Sequence, residues 1–275
     1  MPVLPVRLQL SCLFALACGL VLAAGPRPAR AEPWIYRPIT LPSGRVELDL
    51  GFALGHVGGD APLTGPGMNL ELAFAASSSL ELGVRTGGRI GHAGRVLRAD
   101  EYARLFDTET YGSIADGGGF TSDPLANPEI HLRAALVRGP VLQLAFESRF
   151  FLPIEDGSRF GLMLALPLWL RIGSVRLDTG VYVPIVFTEP DTTTVVSLPL
   201  AIWIQASSRL HLGPDFGVRI WSHGGCETTT YPFGFGVGYA VGPSTDLRLR
   251  AFFRDVGGSE GARDFGLGIG FQFRT

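Results

Sequence analysis

The stretch Arg45 to Leu54 (RVELDLGFAL) decides how the rest of this chain is read. Val46, Leu48, Leu50, Phe52 and Leu54 occupy every second position, and Arg45, Glu47, Asp49, Gly51 and Ala53 lie between them. Side chains of a strand point alternately to its two faces, so the stretch predicts a strand with one apolar and one polar face. The same period recurs outward from it. Met68 to Phe74, Leu80 to Val84, Ile130 to Leu136, Leu142 to Phe150 and Phe160 to Ile172 all alternate. So do Val175 to Ile185, Leu198 to Ile204, Leu210 to Ile220, Tyr231 to Tyr239, Leu247 to Phe253 and Phe265 to Phe273. The polar face carries Gly, Arg, Glu and Asp. This gives about twelve antiparallel strands, each near the roughly 9–11 residues that a tilted membrane strand needs.

The connections alternate in length. Ala76–Ser79, Arg138–Pro140, Gly173–Ser174, Ala206–Ser208 and Val241–Ser244 are tight. His56–Gly67, Ile90–Pro128, Leu152–Ser158, Thr188–Thr193, Ser222–Thr228 and Asp255–Arg263 are mostly longer. Short turns at one end and long loops at the other are the habit of transmembrane barrels. A soluble sandwich or lipocalin-like barrel also alternates, but its apolar face points inward. About eight strands already fill such a barrel, and twelve would leave it hollow and greasy. The expected fold class is therefore all-β: a closed, transmembrane antiparallel β-barrel over residues 45–275.

The N-terminus reads as an export signal. Arg7 precedes an apolar run from Leu8 to Ala24, and Ala29-Arg30-Ala31 is a small-residue cleavage site. Residues 1–31 are the expected signal peptide, and residues 32–44 a periplasmic lead-in. Use of Cys18 as a lipoprotein acceptor fits poorly, because apolar sequence continues after it. With Cys12 and Cys18 removed, Cys226 has no intramolecular disulfide partner. All 23 basic residues are Arg. Losing Arg7, Arg27 and Arg30 makes the formal net charge of −2 more negative by three, a balance that does not suggest a nucleic-acid binder.

The closing stretch Asp264 to Arg274 (DFGLGIGFQFR) resembles the C-terminal aromatic strand of Gram-negative outer-membrane β-barrel proteins. It departs from them in that Arg274 and Thr275 follow the last aromatic residue, Phe273. Asn127 to Val137 (NPEIHLRAALV), continuing into Phe151-Leu152-Pro153, is more faintly similar to channels grouped with phenol degradation and long-chain fatty-acid uptake. The resemblance implies a cell outer-membrane location, contact with outer-membrane lipid, and recognition of the last strand by the barrel-assembly machinery. It implies a narrow pore or uptake channel for small solutes. The alternative is a structural or surface-interaction barrel with a closed, salt-bridged lumen.

Candidate lumen residues follow from the polar parity. They are Arg133, Arg149, Arg171, Arg176, Arg219, Arg248 and Arg250, with Glu47, Asp49, Glu147 and Asp178 and the indoles of Trp169 and Trp203. Arg45, Arg85, Arg159, Arg209, Glu71, Glu81, Asp215 and Asp246 share that parity. One reading is an Arg-lined path for anionic solutes, since guanidinium grips carboxylate or phosphate with two prongs. The other is an internal network of Arg–carboxylate pairs, because buried charges need partners. The loop Ile90–Pro128 reads either as a constriction folded into the lumen or as an external loop. Pro167, Pro184, Pro199 and Pro214 fall inside expected strands, where each removes a ladder hydrogen bond, and bulges are the expected remedy. No nucleophile elbow, Walker loop or H-E-x-x-H occurs, so neither an enzyme nor a cofactor is expected. His223 and Cys226 are too few ligands for a metal site.

Overall fold

The computed structural model describes residues 32–57, 63–89, 128–152, 160–187, 192–253, 255–257 and 265–275. The expected signal peptide and most of the Ile90–Pro128 loop lie outside the described residues. Thirteen strand segments form one sheet: β1 (Val46–Val57), β2 (Leu63–Ser77), β3 (Leu80–Arg89), β4 (Glu129–Arg138), β5 (Leu142–Phe151), β6 (Gly161–Ile172), β7 (Val175–Val186), β8 (Thr193–Gln205), β9 (Leu210–His223), β10 (Cys226–Thr230), β11 (Phe233–Ala240), β12 (Thr245–Phe253) and β13 (Phe265–Arg274). Every pairing is antiparallel and joins chain neighbours except that of β9 with β11 and that of β13, which returns to β1 from Glu47↔Arg274 to His56↔Phe265. That last pairing closes the cylinder and leaves no long edge exposed. β10 and β11 pair with successive halves of β9, so together they count as one broken strand in a twelve-strand barrel.

Two connections are shorter than their sequence suggests. The expected His56–Gly67 loop is consumed by pairing as far as Val57↔Leu63. The expected Ser222–Thr228 loop is a two-residue turn at Gly224-Gly225, with φ values of 57° and 79°. Glycine accepts those positive φ values, which suit a hairpin whose turn matches the strand twist.

The prolines are accommodated without bulges. Pairing skips from Leu144↔Leu168 to Glu147↔Ala165 beside Pro167. It skips from Thr179↔Leu200 to Tyr182↔Ser197 beside Pro199, and again to Ile185↔Thr194 beside Pro184. Beside Pro214 it skips from Ala201↔Asp215 to Ile204↔Leu212. The register is the same on both sides of each gap, so rungs are lost and no residue is inserted. Thr179 Oγ1 donates to the Pro199 carbonyl at 2.7 Å across one gap. At Gly180 φ is 153°, and a Cβ there would run into the Leu166 carbonyl and Pro167, so β6 and β7 approach closely where their own pairing is unbroken. The bulges fall elsewhere, at Ala75/Ser77 in β2 and Ala135/Val137 in β4.

The outward face is apolar and exposed, as at Phe52, Phe74, Val84, Phe150, Leu164, Leu198 and Leu267. The inward face holds the buried groups, among them Arg85, Glu129, His131, Glu147, Arg149, Asp215 and Asp246. An apolar exterior around a charged interior inverts the soluble arrangement and fits a lipid solvent.

Candidate functional site: the lumen and its strap

The lumen has two unlike walls. On β2–β5, charged side chains interlock. Glu147 is 1 % exposed and receives Arg133 Nε at 2.7 Å and Arg149 Nε at 2.5 Å. Arg133 Nη1 also reaches Glu81 at 3.2 Å, and Arg149 Nη1 reaches Glu129 at 3.3 Å. His131 lies between Glu71 and Glu81, its Nδ1 3.6 Å from one carboxylate and its Nε2 3.5 Å from the other. Gly83 pairs opposite His131, and a Cβ at Gly83 would overlap the imidazole, so the ring takes the space that a side chain would fill.

On β5–β9 the inward side chains are largely apolar towards the end that carries the longer loops. Phe151, Met163, Ala165, Tyr182, Val195 and Trp221 form one buried cluster. The Trp221 indole N–H donates to Thr230 Oγ1 at 3.2 Å.

At the end with the tight turns, the segment expected to be a lead-in lies against inward-facing groups. Residues 34–41 form a strap hydrogen-bonded to side chains of seven strands, β3, β4, β5, β7, β8, β12 and β13. A single 3-10 turn, Trp34–Tyr36, begins it. The Ile35 N–H donates to Gln205 Oε1 at 3.2 Å, that of Ile39 to Gln143 Oε1 at 2.6 Å, and that of Leu41 to Glu81 Oε2 at 2.9 Å. Arg37 grips Asp246 with both prongs, at 2.5 and 2.9 Å, and reaches Gln272 at 3.3 Å. Arg133 donates to the Ile39 carbonyl at 3.3 Å. Ile35 and Ile39 are each 2 % exposed. Trp34 completes a stack: the Arg176 guanidinium sits 3.4 Å from the Trp34 ring centre and 4.1 Å from that of Trp169. The other neighbour of Trp34 is His211, whose ring is 4.4 Å away and tilted only 9°. Trp203 meets Trp34 edge-on at 5.2 Å. A cation between two indoles is attracted to both π faces.

A cavity of about 980 Å³ runs beside the strap. Every residue proposed for the lumen lines it except Arg171 and Arg219. Arg171 instead stacks on Tyr36 of the strap, 4.5 Å from the ring centre, and Arg219 is buried on β9. Most of the cations have partners: Arg176 binds Asp178 with both prongs at 2.7 and 2.8 Å, Arg248 pairs with Asp49, and Arg250 meets Asp215 at 2.7 Å. Arg45 and Arg209, which share the lumen parity, are exposed at the turn end, and Arg159 lies outside the described residues. Sequence reasoning passed over the strap. The available signal was the density of Trp34, Ile35, Tyr36, Ile39 and Leu41 in a supposed linker, too apolar to be left in water. Glu129 was passed over because it stands where strand meets loop.

Twelve antiparallel strands closed on themselves, apolar outside and charged within, make this a barrel of the Gram-negative outer-membrane type. Among solved structures, an outer-membrane channel from Pseudomonas putida F1 is similar at 10% identity, over 91% of this chain and 100% of that one, with a TM-score of 0.58. The NanC porin is similar at 7% identity, over 82% of this chain and 98% of its own, with a TM-score of 0.57. The translocator domain of the autotransporter NalP from Neisseria meningitidis is similar at 12% identity, over 98% and 95%, with a TM-score of 0.50. At such identities the likeness is one of fold. No family model matches the chain, and no curated protein matches it.

Proposed function

We propose that the chain is exported, loses residues 1–31 and sits in the cell outer membrane as a narrow, non-enzymatic channel for small solutes. The observation that carries this is the charged cavity beside the strap, which leaves space for solute at the turn end of the lumen. Two of the similar structures are described as a channel and a porin, which supports the same reading. The barrel-assembly machinery is the expected partner of β13 during insertion. Planar-bilayer recording tests the function. The wild-type protein should give small, steady conductance steps, and Trp34→Ala combined with Arg37→Ala should enlarge them by loosening the strap. Paired lumen charges predict only weak ion selectivity. Arg248→Gln with Arg250→Gln should move the reversal potential towards cation preference, because it leaves Asp49 and Asp215 without those partners.

A second reading is a closed structural barrel. It is favoured by the buried apolar cluster and ion-pair network that fill the described lumen above the strap. Silence from both the wild type and the strap variant in bilayers would favour it over the channel.

A further inference from the structure

We propose that Glu47 and Arg274, at the turn end of the cavity, form a binding site for small zwitterions, solutes that carry an ammonium and a carboxylate close together. The two residues face each other across the barrel closure as the register pair Glu47↔Arg274, and both line the cavity. They do not satisfy one another. Arg274 turns instead to Asp246, which its Nη2 reaches at 2.5 Å. Asp246 is buried and is already gripped by both prongs of Arg37 from the strap. Two guanidinium groups therefore share one carboxylate, and donors are left over. Nη1 of Arg274 makes no hydrogen bond among the described residues, and the Nε–H groups of Arg37 and Arg274 are buried without an acceptor. Glu47 has the opposite problem: it makes no hydrogen bond and no ion pair among the described residues.

The other charges around the cavity are engaged elsewhere. Arg248 pairs with Asp49, Arg250 with Asp215 and Arg176 with Asp178. Arg133 binds Glu81 and Glu147, and Arg149 binds Glu147 and Glu129. Glu32 and Arg45, one of each sign, are exposed at the rim, where water and salt screen them, and Thr275 is zipped to Val46 there. Paired residues on adjacent strands have Cα atoms about 5 Å apart. A surplus positive charge and an unmatched negative one thus stand side by side at a short, fixed spacing. A simple cation or anion would answer one and leave the other. A zwitterion answers both and brings no net charge out of water, where an uncompensated one is costly. Its ammonium donates to Glu47, and its carboxylate accepts from Nη1 of Arg274, both as charge-assisted hydrogen bonds. An α-amino acid carries the two groups on one carbon, which suits that spacing, and the cavity of about 980 Å³ has room for it.

This site deepens the channel reading and rests on it only for passage, so binding and passage are measured separately. The chain is folded into lipid nanodiscs, and saturation-transfer NMR follows binding of L-alanine, propionate and ethylamine. Alanine should bind at least about tenfold more tightly than either single-charge analogue, since each analogue lacks one charge-assisted bond. Glu47→Gln should weaken alanine by about tenfold, leave propionate unweakened and bring the two level. Structural damage alone would weaken both. Wild-type protein that binds none of the three, or that binds propionate or ethylamine as tightly as alanine, would overturn the proposal. So would a Glu47→Gln variant that keeps the preference for alanine. If that variant does not fold, the wild-type series decides, together with Arg274→Gln, which should bring alanine level with ethylamine. Swelling of vesicles that hold the wild-type protein then reads passage. Alanine that binds but does not cross would refute the channel reading and leave the site standing, whereas alanine that crosses without binding would refute the site and leave the channel.

Discussion

The wall built by β2–β5 and the wall built by β6–β9 enclose one lumen by different means. The first buries charge and spends its side chains on one another: Arg133 and Arg149 share Glu147, and Glu81 serves Arg133, His131 and the strap together. The second holds the prolines, drops ladder rungs beside them, and fills its loop-end half with Met163, Tyr182, Val195 and Trp221. The charged wall depends on who pairs with whom. The proline wall depends on volume and close backbone approach. Equivalent changes should therefore be tolerated very differently on the two.

The largest effect should come from Glu147→Ala. It removes the acceptor that Arg133 and Arg149 share, leaving them only the carboxylates of Glu81 and Glu129, and breaking a buried pair by removing one partner costs about 3–5 kcal/mol. Denaturant unfolding from micelles, followed by the heat-dependent gel shift, should show it. An effect below about 1 kcal/mol would mean that water reaches this network freely. Next comes the outer surface of β6, which alternates with the apolar wall. Leu164→Arg sets a cation against lipid and should cost about 2–4 kcal/mol near the midplane, read as lowered folding yield into vesicles. A normal yield would place Leu164 off the lipid face. One residue earlier, Met163→Leu conserves volume within the apolar cluster and should cost less than about 1.5 kcal/mol in the same unfolding assay. A loss as large as that of Glu147→Ala would erase the distinction between the walls. The smallest effect is expected at the rim, where exposed Arg138 bonds Ser78 Oγ at 2.8 Å. Arg138→Ala should stay within about 0.5 kcal/mol of the wild type. A larger loss would show that the charged network extends to the turn end.

Period-2 alternation carried the barrel, because each strand has one lipid face and one lumen face and the pattern repeats at every crossing. Parity also placed Glu47, Asp49, Arg133, Glu147, Asp178 and Arg248 along one cavity. Parity says which face a side chain takes and nothing about its partner, so the pairs Arg248–Asp49 and Arg250–Asp215 were not legible. Neither was the treatment of the prolines. A missing amide hydrogen removes a rung, but whether the neighbouring strand bulges or keeps its register across the gap depends on what faces it, here Ala145 and Phe146 beside Pro167. The strap was hidden for a related reason. Its eight residues have no period to read, and their placement depends on groups supplied by β3, β4, β5, β7, β8, β12 and β13.

Those suppliers bear on the order in which the molecule is finished. The strap precedes β1, yet its anchors lie far along the chain: Ile35 waits for Gln205, and Arg37 for Asp246 and Gln272. Contacts this distant in sequence form late, because the whole intervening loop must close first. Among the described residues, the earliest stretch of polypeptide is thus among the last to settle. A half-zipped cylinder would leave its leading end dangling, within reach of any protease on the turn side. The seated strap is in effect a certificate of completed closure.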